Sequence, residues 1–416
     1  MKILRSRLGL TSAWLAAGLA ALLVQSAPVH AGEALTLDAA LTRAAQRPQL
    51  ALSQQDIDAA NDSLSVAGTP LYNPIVSVEA GPQFGEIPLS PLLNLGIDQT
   101  IERGGKRGAR QRAAQGVRQL AVAVRSDAVR SARLGAWRAF ELALISKQRI
   151  AVLVQVEQLA TAVLDATRRA QAAGGATTLR LNLLLAEHGR AVQQRAAANL
   201  EYQHALADLA TEIGAAPDAE LDPIGEMFTR LAVPTPAAAA QTHSALTIAT
   251  ANMDLAAREQ QVANADAVPD FTIGLGYSYQ ATPDIQHGVF ARLSIPLAFR
   301  NHNERARAMA RSESRKATVV RDLVATDLAR RSQVARRNVA IADAAVAAFD
   351  EAITNKLTEN LALAQDAFTR GAIDFIELTL TQRDLIAARL AYLDAHVLRI
   401  NAWAELLDAT GMDVQP

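Results

Sequence analysis

The placement of proline and of alternating apolar residues divides the chain into two similar halves. No proline occurs from Leu92 to Ala216 or from Leu297 to Gln415. Each proline-free tract follows a stretch in which Pro, Gly and alternating apolar residues are frequent. Long tracts without proline permit long helices, whereas alternation is typical of strands. The pattern therefore predicts strands followed by helices, twice over.

The first tract predicts a helical hairpin. A helix is expected over about 105–172, followed by the turn residues Gly174 and Gly175 and by a second helix over about 178–213. Thr178 is the predicted N-cap of the second helix.

The second tract predicts the same hairpin again. One helix is expected over about 302–370, then Gly371, then a helix over 374–409 that Gly411 ends. Asp374 takes the N-cap position that Thr178 has in the first tract. The matching order and spacing indicate an internal duplication.

The long helix of each hairpin exceeds 60 residues, which at 1.5 Å per residue is roughly 100 Å. Helices of this length are stable when they pack along their length as coiled coils. Small residues such as Ala128, Ala132 and Ala136 form much of the apolar stripe and allow close approach.

Strand-type alternation precedes each hairpin. From residue 271 to residue 280, apolar residues such as Phe271, Leu275 and Tyr279 alternate with small or polar ones. Ten residues of strict alternation match the ~9–11 expected of a strand that crosses a membrane in a barrel. The same pattern predicts strands near 289–295, 76–80 and 93–98, with loops near 81–91 and 281–288.

An ordinary half-buried sheet also alternates, so the alternation alone leaves two interpretations. Aromatic residues are only 4 % of the chain yet crowd these segments, as in an interfacial aromatic belt. Because four strands cannot close a barrel and open edges cannot face lipid, several copies must share one wall. Three copies give 12 strands; strand count alone also permits two or four copies.

The remaining segments complete the predicted organisation. Residues 1–31 have the basic start, the uncharged apolar stretch and the small residues before Ala31 that are typical of a secretory signal; an uncleaved anchor is the alternative. The first repeat spans 32–214 and opens with a helix over 37–67. A Pro- and Ala-rich linker on the outside of the body spans 215–241. The second repeat spans 242–416 and opens with a helix over 242–265.

Composition and motifs give little sign of chemistry. The formal net charge of −1 does not suggest nucleic acid, and the absence of cysteine excludes disulfides, thiolate metal sites and cysteine acylation. The histidines lack metal-ligand spacing, and we expect no metal site, no cofactor and no catalytic residue. The expected fold class is mainly α with a small β part: coiled-coil hairpins plus four strands of a shared transmembrane β-barrel, internally duplicated.

The chain resembles the TolC-type outer-membrane efflux proteins, and within them the CzcC and CusC branch that serves cation export. The resemblance rests on the segments 35–41 (LTLDAAL), 72–74 (YNP), 102–107 (ERGGKR), 173–179 (AGGATTL) and 370–375 (RGAIDF). It covers the whole chain after the signal. The missing lipidation cysteine departs from the lipid-anchored members.

The resemblance implies a homotrimer with a 12-strand barrel in the cell outer membrane and a helical tunnel that extends into the periplasm. It implies docking to a periplasmic adaptor, or membrane fusion protein, and to an inner-membrane pump of the RND class. The expected function is a passive duct of a tripartite efflux system, with heavy-metal cations as cargo. It implies no enzymatic activity.

Three sets of residues are candidates for function. Gate residues at the second tip are Asp366, Arg370 and Asp374. Adaptor-docking residues at the two tips are Gly174, Gly175, Thr177, Leu179, Gly371 and Phe375. Glu79, Asp98 and Arg292 fall on the polar strand face, which would line the barrel. The alternatives are solvated surface charge for the first set and helix capping for the glycines of the second. Because both signs of charge are present in the third set, it predicts no ion selectivity.

Three other functional classes remain open. A multidrug or type I protein-secretion duct would have the same architecture. A periplasmic adaptor also has a helical hairpin, but it usually has one, flanked by compact β-domains. A coiled-coil rod would leave the alternating strands unexplained.

Overall fold

A computed structural model gives the architecture of the chain. It describes residues 33–83, 90–216, 219–228, 243–282, 284–297, 299, 302–353, 359–360, 363–364, 366–367, 370, 372–373 and 375–414. The predicted signal at 1–31 lies outside the described residues, as do Gly371 and Asp374.

Seven long or medium helices and six strands are described within these ranges. The helices are α1 (Leu37–Ala44), α2 (Leu50–Ala67), α3 (Lys106–Ala172), α4 (Thr178–Ile213), α5 (Ser244–Ala265), α6 (Glu304–Ile353) and α7 (Phe375–Thr410). The strands are β1 (Glu33–Leu35), β2 (Ile75–Gln83), β3 (Ser90–Ile101), β4 (Leu221–Pro223), β5 (Phe271–Thr282) and β6 (Asp284–Ser294). The mainly helical fold class with a small four-stranded sheet is confirmed.

The four long strands form one antiparallel sheet in the order β2-β3-β5-β6. The strand pair of the first half therefore lies beside that of the second, because β3 pairs with β5 from Leu92↔Gln280 to Ile101↔Phe271. Strands β2 and β6 are the edges of this sheet.

The strands are longer than the sequence pattern predicted. Pairing of β2 with β3 continues to Gln83↔Ser90, and pairing of β5 with β6 continues to Thr282↔Asp284. The loop expected at 281–288 is therefore mostly strand. The reason is that Ile285 and Val289 continue the apolar alternation of β6, which the prediction began only at residue 289.

The predicted helix over 37–67 is two helices. Helix α1 ends at Ala44 and α2 begins at Leu50, with Pro48 between them. Proline has no N–H to donate and disfavours helical backbone at the residue before it, so the helix breaks there.

The first hairpin agrees closely with its prediction, apart from one cap. The N-cap of α4 is Thr177 rather than Thr178, since Thr177 has extended backbone and its Oγ1 accepts a hydrogen bond from the N–H of Arg180 at 3.2 Å.

The core lies between the middle of α3 and the C-terminal half of α7. Trp137 of α3 and Trp403 of α7 are buried there, and Phe228 packs edge-on against both, with ring centroids 6.4 Å and 5.5 Å away. The segment expected as an external linker thus contributes to the body over residues 221–228. Strand β4 pairs in parallel with β1, and Leu221 is buried.

Helix α3 contains a stretch long and apolar enough to cross a membrane by length and composition alone. In the structure α3 packs along α4 and also contacts α7, with Val152, Leu153 and Leu164 among its buried residues. Its apolar residues therefore contribute to a helix–helix seam.

Candidate functional site

The four-stranded sheet has one apolar and one polar face. The apolar face carries large side chains that are 41 % to 83 % exposed in the single chain: Val76, Val78, Leu95, Ile97, Ile273, Leu275, Val289 and Leu293. Nothing in the described part of the chain covers them. An apolar face of this extent requires a nonaqueous neighbour.

The opposite face carries the three residues predicted to line a barrel. Asp98 pairs in register with Gly274, and Gly274 with Arg292. Arg292 Nη1 lies 3.2 Å from Asp98 Oδ2, so the ion pair crosses the glycine. Glu79 lies apart from this pair and accepts a hydrogen bond from Asn94 Nδ2 at 3.3 Å. Asp98 and Arg292 thus form one group and Glu79 another.

Glycine is needed beneath the ion pair and beneath the neighbouring aromatic ring. A Cβ on Gly274 would overlap Asp98 Oδ1 and lie 3.1 Å from the carbonyl oxygen of Ile97. A Cβ on Gly276 would overlap the ring of Phe290 and lie 2.9 Å from the carbonyl oxygen of Leu95. The glycines therefore let larger side chains of adjacent strands lie flat across β5.

The junction between the sheet and the long helix is fastened by Asp270, directly before β5. Its Oδ1 accepts hydrogen bonds from Lys106 Nζ at 2.8 Å and from the N–H of Arg103 at 2.9 Å. Its Oδ2 accepts one from the hydroxyl of Tyr72 at 3.2 Å. Burial opposes ionisation of Asp270, but these donors and the charge of Lys106 outweigh it, so the pKa of Asp270 lies below its ordinary value.

This junction gives the segment 102–107 a structural role. Gly104 and Gly105 both have left-handed backbone, with φ of 72° and 71°, and Gly105 is the N-cap of α3. Arg110 pairs with Glu102 at 2.9 Å, and this carboxylate raises the pKa of Arg110 against the opposing effect of burial. The segment turns the chain from strand to helix, a role that needs no cation.

At the first hairpin tip, α3 ends in a turn with a left-handed glycine. Gly174 has a φ of 78°, and the N–H of Gly175 donates to the carbonyl of Ala170 at 2.8 Å. Thr177 caps α4, and Leu179 projects into solvent, 70 % exposed. The four candidate docking residues of this tip therefore lie together, three in capping geometry and one as an apolar side chain without cover in the single chain.

At the second tip, Arg370 forms an ion pair with Asp366 one helical turn earlier, and both side chains are exposed. Their backbones are joined by a hydrogen bond of 3.0 Å from the N–H of Arg370 to the carbonyl of Asp366. The candidates Gly371 and Asp374 lie outside the described residues, and Phe375 begins α7 without a described side chain. The structure thus brings together two of the three gate candidates.

Sequence reasoning missed the surroundings of Phe228. Its N–H donates to the carboxylate of the buried Glu141 at 2.9 Å, and the guanidinium of Arg399 lies 3.8 Å from its ring centre. Arg399 also pairs with Asp343 at 2.8 Å. The sequence held one sign that this residue is buried: Phe228 is a large aromatic residue in a segment, 215–241, that is otherwise rich in small residues.

Among the described residues, no cluster of three or more His, Asp or Glu side chains could hold a metal ion. The described part of the chain therefore offers surfaces and helix ends as its candidate sites.

No family model matches the chain, and no curated protein matches it. Solved structures do match. The outer membrane protein VceC of Vibrio cholerae is 15 % identical, with a TM-score of 0.69 over 90 % of this chain and 96 % of that one. The outer-membrane channel OprN is 15 % identical, with a TM-score of 0.72 over 91 % of each chain. CusC is 13 % identical, with a TM-score of 0.69 over 91 % of this chain and 93 % of that one.

These likenesses show that the chain has the fold of the TolC-type outer-membrane channels over nine-tenths of its length. The sequence identity and TM-score of CusC are similar to those of VceC and OprN, so the comparisons do not distinguish the cation branch from the others.

Proposed function

We propose that the chain is one protomer of an outer-membrane channel that serves as the passive duct of a tripartite efflux system, and that it is not an enzyme. The observation that carries the proposal is the two-faced sheet, which has eight large exposed apolar side chains on one face and the charged residues Glu79, Asp98 and Arg292 on the other. A soluble protein would cover such a face, whereas a barrel wall turns it to lipid and keeps the polar face for its interior.

The edges of the sheet require assembly. Strands β2 and β6 have 9 and 11 residues and no strand partner on their outer sides in the described part of the chain. In lipid every backbone N–H and C=O group must be paired, so an open edge of this length is excluded there. Pairing of β6 with β2 of the next copy removes both edges. We propose a homotrimer, in which the shared barrel has 12 strands.

The helices supply the tunnel. Helix α3 begins five residues after the end of β3 and has 67 residues, or roughly 100 Å at 1.5 Å per residue. Such a length carries the duct from the membrane far into the periplasm. The proposed location is therefore the outer membrane with a periplasmic extension.

Fractionation and trimer migration test this proposal. The protein should enter the outer-membrane fraction, migrate as a trimer in unheated SDS samples and as a monomer after boiling, and conduct ions in planar bilayers. Recovery as a soluble periplasmic protein would contradict the duct and favour the adaptor class.

The proposed partners are a periplasmic adaptor at the hairpin tips and an RND pump of the inner membrane. The first tip supports this, because Leu179 is exposed beside the hydrogen-bonded glycine turn at 174–175. We propose that the docking set also includes Thr177, Gly371 and Phe375.

For the gate, we propose that Asp366 and Arg370, with Asp374, hold the periplasmic entrance closed. The pairing of Asp366 with Arg370 supports this, because their exposed charges can exchange this partner for one on a neighbouring copy. The Asp366→Ala and Arg370→Ala variants should raise single-channel conductance. Unchanged conductance in both would remove them from the gate.

For the interior, we propose that Glu79, Asp98 and Arg292 line the barrel. Because both signs of charge are present, their effects on selectivity partly cancel. Neutralising Arg292 alone should shift the reversal potential toward cations, and an unchanged reversal potential would place it outside the conducting path.

For the cargo, we propose heavy-metal cations, on the sequence resemblance of the segment 102–107. Deletion of the gene should sensitise the cells to metal salts such as those of cobalt, zinc, cadmium, copper or silver. Sensitisation to organic drugs alone would favour a multidrug duct instead, and loss of a secreted protein a type I secretion duct.

A further inference from the structure

A half-enclosed groove lies between the first helical hairpin and α7, away from the sheet and within about three helical turns of the first tip. Its volume is about 410 Å³, within the 300–1,000 Å³ that small-molecule sites usually have. Residues of α3, α4 and α7 line it. Its apolar lining includes Val156, Leu159, Val163, Leu184, Ile386 and Leu390.

One polar side chain in this lining lacks a hydrogen-bond partner. Gln382 is only 8 % exposed, and its Nε2 has no partner within the part of the chain that the structure describes. A buried amide N–H group left unpaired costs free energy, and an acceptor atom of a ligand would recover it. Gln382 also lines the groove, so rotation of its amide would turn this donor toward an occupant.

The rim of the groove is charged. Arg190 is paired with Glu187, whereas Arg383 is exposed and has no ion-pair partner among the described residues. An anionic group at the mouth would be attracted to Arg383 while the body of the same molecule lies against the apolar residues.

We propose that this groove binds a compact anionic amphiphile, with its apolar body against α3 and α7, an acceptor atom at Gln382 Nε2 and its negative group at Arg383. This goes beyond the proposed duct, because the site lies between helices of one chain and does not depend on the cargo that passes. An occupant would contact both repeats at once.

The test uses the purified full chain and two fluorescent probes that share one apolar body. The first is 8-anilinonaphthalene-1-sulfonate, which carries the anionic group, and the second is N-phenyl-1-naphthylamine, which lacks it. Each is titrated into the protein in the same detergent, and the saturable part of the fluorescence rise reports occupancy of the site.

Four variants separate the contacts. Gln382→Leu should weaken binding of the sulfonate about 3- to 10-fold, the usual worth of one hydrogen bond. Arg383→Gln should weaken the sulfonate and leave the neutral probe unchanged. Ala160→Phe, which fills the groove from α3, should remove saturable binding of both probes. Gln193→Leu, exposed on α4 and outside the lining, is the matched control and should bind as the unmodified chain does.

The proposal is overturned if the unmodified chain shows no saturable sulfonate binding. It is also overturned if Gln382→Leu and Ala160→Phe both bind as the unmodified chain does, or if Gln193→Leu loses as much affinity as Gln382→Leu. Circular dichroism and trimer migration of each variant establish that a loss of binding is local.

Discussion

Asp98 and Arg292 lie on either side of Gly274, and their ion pair of 3.2 Å crosses the glycine from β3 to β6. Asp98 belongs to the first repeat and Arg292 to the second. The pair therefore links the two halves of the sheet at a fixed register, and it depends on the absence of a side chain at the position between them.

Gly274→Ala should weaken the sheet. The new Cβ would displace the Asp98 carboxylate and press on the carbonyl of Ile97, at a cost of about 1–3 kcal/mol for overpacking. The temperature at which the trimer dissociates in SDS should fall. Gly81→Ala is the matched control, because a Cβ there meets no heavy atom within 4 Å. Equal dissociation temperatures for the two variants would show that the ion pair across Gly274 does not stabilise the trimer.

Asp270→Asn should destabilise the sheet–helix junction by about 2 kcal/mol at neutral pH, since hydrogen bonds to a charged acceptor are lost. The folded pKa of Asp270 lies below its unfolded value, about 3.9 for an ordinary aspartate. Its contribution is therefore present above that value and is lost as the pH falls through the folded pKa.

Thermal melts from pH 7 down to pH 3 measure this dependence. The difference in melting temperature between the unmodified chain and Asp270→Asn should become smaller as the pH falls below 4. Asp254→Asn, on the exposed side of α5, should show no difference at any pH. If the melting temperature of Asp270→Asn differed from that of the unmodified chain by the same amount at every pH, the charge of Asp270 would not contribute to stability.

Phe228→Ala should destabilise the core by about 3–5 kcal/mol, because the ring lies between Trp137 and Trp403. Phe228 has left-handed backbone, with a φ of 59°, so Phe228→Gly should be less destabilising than Phe228→Ala by about 1 kcal/mol. Urea unfolding measures both.

The tryptophan spectrum gives a local readout, since the tryptophans after residue 31 are Trp137 and Trp403. Their emission should shift to longer wavelength in both variants. An unchanged spectrum together with unchanged stability would mean that residues 221–228 behave as the external linker that the sequence suggested.

Leu179→Asp should abolish capture of the periplasmic adaptor while leaving the trimer intact, because it places a charge on the apolar side chain at the first tip. Leu200→Asp is the matched control, being a similarly exposed leucine, 65 % against 70 %, in the same helix but away from the tip. Adaptor capture that is retained by Leu179→Asp, or lost equally in both variants, would reject a docking role for this residue.

Much of the fold was predictable because its signals are local. Gly174 and Gly411 end helices through their own backbone conformation, and the alternation of β5 lies within one strand. The contacts that were missed join distant parts of the chain. Asp270 meets Lys106 across 164 positions, and Phe228 meets Glu141 across 87. No local pattern specifies such partners.

For the candidate residues, too, local features were predictable and contacts between distant parts of the chain were not. The shared strand face of Asp98 and Arg292 follows from alternation, whereas the sequence placed the N-cap of α4 one residue late, at Thr178 instead of Thr177. The pairing of these two across Gly274, and the unpartnered amide of Gln382, depend on how strands and helices associate.

In the proposed duct the apolar sheet face meets lipid and the polar face meets water. The cysteine-free chain allows a direct measurement with single-cysteine variants and a charged, membrane-impermeant maleimide. In the isolated chain Leu275 is 64 % exposed and Ser278, on the other face of β5, is half-buried. In outer membranes we predict the reverse order of labelling. Ser278→Cys should react readily and Leu275→Cys only after the protein is unfolded in detergent, whereas equal or faster labelling of Leu275→Cys in intact membranes would contradict the duct.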